Sequence, residues 1–158
     1  MEPRRILVPA DFSEGAQAAI ARASLLSAHG ATIELLHVLA PSDVPPSGEP
    51  LLPWFSATRE GREMGDCLGV LERSEVDAPL GRVALGRAID VILELTSCRN
   101  YDLIVMGAHG QSHRRHPSLG SVADALVRGA RCPVVAVPST ADRFDEFSEI
   151  YVDLGGGD

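Results

Sequence analysis

Asp102-Leu103-Ile104-Val105-Met106-Gly107-Ala108-His109-Gly110, then Gly120-Ser121-Val122-Ala123-Asp124, then Cys132-Pro133-Val134-Val135-Ala136-Val137-Pro138 form the stretch that decides the fold. Residues 103–106 are apolar at every position, the pattern of a strand buried on both faces. The run stops at Gly107. A polar loop leads to Gly120, where Ser121 opens a helix, and Asp124 follows three positions on in the spacing of a capping box. Gly129 or Ala130 ends that helix, and residues 132–138 supply another wholly apolar strand. Strand, helix and strand of this kind form a parallel βαβ unit.

The same alternation extends towards the N-terminus. Ile6-Leu7-Val8 is an apolar strand ending at Pro9, and either Asp11 or Ser13 caps the helix that follows. That helix carries Ala16, Ala19, Ile20, Ala23 and Leu26 on one face and stops at His29-Gly30. Residues 31–39 read as a second strand. Residues 41–56 contain Pro41, Pro45, Pro46, Pro50 and Pro53, which predicts a long loop. Residues 57–75 read as a helix weakened by Gly61, Gly65 and Gly69. Residues 79–85 read as a third strand, and a helix after Gly86 packs through Ile89, Ile92 and Leu93. Five apolar strands alternating with helices predict a parallel sheet covered on both faces. Residues 1–138 form one domain with a variable loop at 41–56. Residues 139–158 form an acidic, partly disordered tail, in which Phe144, Phe147 and Ile150 either dock on the body or partner or mark a short recruited helix. The last strand, 133–137, is expected at a sheet edge, where a second copy would cover it.

Composition narrows the function. The chain has 158 residues and a formal charge of −8, which argues against nucleic acid and anionic membrane as partners. Residues 139–158 hold six acids against one Arg, while the first 138 hold 16 acids against 13 Arg, so the acidity is concentrated in the tail. All 14 basic residues are Arg. Without Lys there is no P-loop lysine, no kinase strand lysine and no pyridoxal phosphate Schiff base. Cys67, Cys98 and Cys132 have no metal-ligand spacing and read as buried free thiols of a reducing compartment. No signal-peptide core or membrane-length apolar run occurs, so a cytoplasmic location is expected.

In a doubly wound sheet ligands bind at the C-terminal ends of strands where the winding reverses. Two strand ends qualify: Pro9-Ala10-Asp11, and Met106-Gly107-Ala108-His109-Gly110 with Gly120-Ser121-Val122. Gly107 and Gly110 permit left-handed backbone and close approach to a ligand. Gly120-Ser121 lies at a helix N-terminus, which favours a phosphate, and Arg114 and Arg115 lie inside the loop. On composition alone, phosphate binding and a plain surface loop are equally good readings. His113 and His116 lack further ligands for zinc, and His37 reads as a satisfied core histidine.

Gly107, Gly110, Gly120 and Ser121 in the spacing G-2x-G-9x-G-S, with Ile6-Leu7-Val8-Pro9-Ala10-Asp11-Phe12-Ser13 and Leu35-Leu36-His37-Val38, resemble the ATP-binding subgroup of the universal stress protein family. The resemblance covers residues 4–39 and 83–138. It implies a three-layer α/β/α fold with five parallel strands in the order 3-2-1-4-5, and a homodimer. It also implies ATP as ligand, with Mg²⁺ or Mn²⁺ held through the phosphates. Asp11 then matches a ribose contact and Val38 an adenine-pocket position. Gly107, Gly110, Gly120, Ser121 and Val122 match positions around the phosphates, with His109 at their border. The loop departs from the family in Pro117 and Ser118. The function expected is regulation by nucleotide occupancy, with absent or very slow hydrolysis and a further protein partner. The alternative is a dimeric interaction module with a vestigial pocket.

Overall fold

The computed structural model describes residues 3–27, 30–45, 48–74, 76, 79–109, 119–139 and 151–153. Five parallel strands lie in the order β3-β2-β1-β4-β5: β1 Arg5–Pro9, β2 Thr32–Leu39, β3 Leu80–Leu85, β4 Leu103–Gly107 and β5 Val134–Val137. This is the expected order. β1 lies at the centre, with Ile6 beside Ile33 of β2 and Leu103 of β4. Ile6, Leu7, Val8, Ile33, Leu35, Ile104 and Val105 are fully enclosed, as strands covered on both faces must be.

Helices α1 (Glu14–Leu26) and α3 (Arg59–Arg73) cover one face, and α4 (Ala88–Cys98) and α5 (Ser121–Gly129) cover the other. Small residues bring α1 close to the sheet: Gly15, Ala16, Ala19 and Ala23 are buried with Ile20. Leu26, expected on that face, is 38% exposed and lies at the helix end.

Two elements depart from the sequence expectation. The proline-rich stretch contains α2, Leu51–Ala57, as well as a short 3₁₀ turn at Pro41–Asp43. Pro53 sits in the first turn of α2, where its missing N–H would have had no helical partner. Phe55 of α2 is buried against Leu39 and Met64, and Gly61 of α3 crosses the Phe55 carbonyl where a side chain would collide. The second departure is β6, Tyr151–Asp153, which pairs antiparallel with β5. The sheet therefore has six strands, and β5 is not its edge. Phe144, Phe147 and Ile150 lie outside the described residues.

The end of the sheet where strands begin is closed by polar contacts. Glu34 is buried and accepts from Tyr101 Oη at 2.8 Å and from Arg82 Nε. Arg5 lies over the Tyr101 ring at 5.2 Å. Burial, then the bond to Glu34, pushes Tyr101 up to about 12. Asp102 accepts from the Arg4 and Arg5 amides at 2.9 Å each, tying β1 to β4. Of the three cysteines, Cys67 is buried and Cys132 half-buried, but Cys98 is exposed at the end of α4, correcting the expectation of three buried thiols. Among the described residues no helix is long and apolar enough to cross a membrane.

Candidate functional site

The winding reverses between β1 and β4, and a cavity of about 230 Å³ opens there, at the C-terminal ends of the strands, where a doubly wound sheet binds ligands. The end of β1 contributes Pro9, Ala10 and Asp11. β2 contributes Val38, and β4 contributes Met106 and Gly107, with His109 just beyond. The start of α5 contributes Gly120, Ser121 and Val122. The structure thus brings together every described residue singled out from the sequence. Gly110 lies outside the described residues, as do Arg114 and Arg115.

Asp11 is held by a tight turn. Its Oδ1 accepts from the Ser13 amide at 3.0 Å and the Ser13 hydroxyl at 2.5 Å. Ser13 is the N-cap of α1, accepting from the Ala16 amide at 3.3 Å. Of the two capping candidates Ser13 caps the helix, and Asp11 braces the cap. Between them Phe12 has φ of 61°, a left-handed conformation costly for a bulky residue. Its ring is 4.9 Å from His37, and Phe55 stacks on His37 at 5.6 Å. His37 Nδ1 donates to the Ala10 carbonyl at 2.8 Å, since that oxygen only accepts. Buried and hydrogen-bonded, His37 also lines the cavity.

Gly107 owes its identity to a different cause from the one expected. It is not among the described residues with positive φ. A Cβ there would lie 2.8 Å from the Gly15 carbonyl carbon, and one on Gly15 would lie 2.8 Å from the His109 carbonyl oxygen. The two glycines let α1 rest directly on the end of β4. The capping box at Ser121 is also absent. Gly120 is the N-cap of α5, no side chain caps the helix, and Asp124 pairs instead with Arg128 at 3.1 Å. With Gly120, Ser121 and Val122 lining the cavity, the positive end of the α5 dipole stands at its wall.

The remaining walls are apolar. Besides Met106, Leu36, Ala88 and Ile92 line the cavity, a surface suited to a flat heterocycle. Sequence reasoning missed these, together with Ser13, Ala16, Ala108 and Ala123. Ala88 and Ile92 are four apart on α4, a spacing that places both on one helix face. A second cavity of about 510 Å³ adjoins the first, sharing Asp11, His37 and Val38 and adding Asp43, Trp54, Thr58 and Glu60 among its walls. Among the described residues no group of three His, Cys, Asp or Glu could hold a metal ion.

The profile described as the Universal stress protein family matches residues 2–138. The chain belongs to the universal stress protein family. It is 31% identical over 141 residues to "Universal stress protein A homolog 1" of Coxiella burnetii, a match that covers 87% of this chain and 97% of that one. Its fold is similar to that of a universal stress protein solved in complex with cAMP (TM-score 0.71, 18% identity, covering 89% of this chain and 100% of that one). It is also similar to a universal stress protein family protein of Arabidopsis thaliana with AMP bound (TM-score 0.61, 19% identity, covering 91% of this chain and 97% of that one). At these identities the likeness to the two solved structures is one of fold.

Proposed function

We propose that this universal stress protein is an ATP-binding regulatory protein that acts as a nucleotide-occupied homodimer and turns ATP over very slowly or not at all. The observation that carries the reading is the meeting, in one cavity, of an apolar wall, a braced carboxylate and a helix N-terminus without a side-chain cap. The apolar residues Leu36, Val38, Ile92 and Met106 suit the purine. Asp11 suits the ribose hydroxyls, which donate to a carboxylate. Gly107, Gly120, Ser121 and Val122 suit the phosphates, which helix N-termini favour. Two neighbours of this fold, one solved with cAMP and one with AMP, support a nucleotide as the class of ligand. A divalent cation, Mg²⁺ or Mn²⁺, would be carried by the phosphates.

The cavity is poor in groups for phosphoryl transfer. Asp11 is the only carboxylate among its described lining residues, and the sequence between Gly107 and Gly120 contains no Asp or Glu. Transfer requires a residue that orients the attacking water and charge placed against the developing transition state. Binding that is equal for the ground and transition states does not accelerate the reaction.

Nucleotide released by denaturing the purified protein, separated by anion exchange, tests the reading. Gly120→Val is the matched variant. Gly120 has φ of −61° and ψ of 162°, which valine adopts without strain, so the change adds a branched side chain to a residue that lines the cavity. Adenine nucleotide in the parent and none in the variant is the expected result. Equal nucleotide in both places the ligand elsewhere. No nucleotide in the parent, and no binding of added ATP, favours an interaction module with a vestigial pocket.

A further inference from the structure

β5 has the composition of an interior strand. None of Val134, Val135, Ala136 and Val137 is more than 7% exposed. The strand contains no charge and no proline, so it lacks the usual protections of a sheet edge. β6 covers it, with Val134 opposite Asp153, Val135 opposite Val152 and Ala136 opposite Tyr151. The cover is minimal: three residues pair, and Val137 has no partner in β6. An edge accepts one strand at a time. A second copy offers β5 itself, and two identical strands related by a two-fold axis pair antiparallel and satisfy each other's free backbone groups.

We infer that β6 is an internal substitute for the second copy: it occupies the edge of β5, and the dimer forms there only when the tail leaves. The inference rests on the proposed homodimer, takes the edge of β5 as its interface, and makes that homodimer the state reached once the tail has left. The tether explains which state wins. β6 belongs to the same chain as β5, which gives it an effective concentration of roughly mM, so a free second copy at µM concentration loses the competition. Charge acts in the same direction. Residues 139–158 carry a net −5, and bringing two copies together at this edge also brings their tails together, like charge against like.

Sedimentation equilibrium at about 1–100 µM, below the effective concentration of the tethered strand, tests the inference on three proteins. These are the full chain, the chain ended after Ser139, and the full chain carrying both Tyr151→Pro and Val152→Pro. Adjacent residues of a strand direct their N–H groups to opposite sides, so one of the two prolines removes a donor facing β5 whichever way β6 lies. The double variant also serves if the shortened chain does not fold, which circular dichroism shows. The expected result is a monomeric full chain and two altered proteins that dimerise with a dissociation constant at least ~10-fold lower. Three proteins that dimerise equally refute the role of the tail and leave the dimer standing. No self-association in any of them refutes the dimer, and the inference with it. Weaker association on losing the tail shows β6 exchanged between copies, which also overturns the inference.

Discussion

Adding one methyl group at Gly107 tests how α1 and β4 are joined under the cavity. In Gly107→Ala the new Cβ would lie 2.8 Å from the Gly15 carbonyl carbon and 3.1 Å from both the Gly15 Cα and its carbonyl oxygen. All three are backbone atoms, so no side chain can rotate away and the helix itself must move. Overpacking of a close contact costs ~1–3 kcal/mol, and the rigid neighbours place this case in the upper half, about 2–3 kcal/mol. At this chain length each kcal/mol lowers Tm by about 2–4 °C, so thermal melting followed by circular dichroism should show a fall of roughly 4–12 °C. Gly65→Ala is the control. A Cβ at Gly65 meets nothing within 4 Å, and Gly65 lies inside α3, where alanine is favoured over glycine by about 1 kcal/mol. The same chemical change should therefore stabilise at one position and destabilise at the other. A Gly107→Ala protein within about 0.5 kcal/mol of the parent would refute the claim that the Gly15 contact is tight.

Two further outcomes follow from groups described above. Tyr101 titrates at about 12 in the folded protein against 10.0 for an ordinary tyrosine. The unfolded chain therefore loses this proton first, and stability that is complete below pH 10 falls as pH rises towards 12. Urea midpoints across that range should fall less in Tyr101→Phe than in the parent, and equal slopes would remove Tyr101 as the cause. Steady-state phosphate release with Mg²⁺ or Mn²⁺ should stay well below ~1 s⁻¹; faster turnover that disappears in Gly120→Val would make the protein a hydrolase.

The strands were legible because a parallel strand covered on two faces is largely apolar, and 6–8, 103–106 and 134–137 are wholly so. The strand ends were legible as a candidate site for the same reason, since the sheet order brings the end of β1 beside the end of β4. α2 was hidden because Pro50 and Pro53 read as breakers, although proline in a first turn forfeits no helical bond. β6 was hidden because three residues between acids and glycines carry no periodicity. The reason for Gly107 was hidden too: a sequence shows a glycine, but only packing distinguishes one needed for its backbone angle from one needed for clearance. His37 read correctly as a satisfied core histidine, yet the rings packed against it on the cavity wall, Phe12 and Phe55, lie on either side of it in the sequence and far from it.

Trp54 is the only tryptophan in the chain, and it lines the cavity that shares Asp11, His37 and Val38 with the candidate nucleotide site. Tyr101 lies at the opposite end of the sheet, beside Glu34. The protein thus carries a native optical reporter at one corner of its site, with no second indole to dilute the signal. Excited selectively at the red edge of the absorption band, that indole reports solvent access and local charge beside Asp11. Ligand titrations can therefore be followed by emission on the unlabelled wild-type chain.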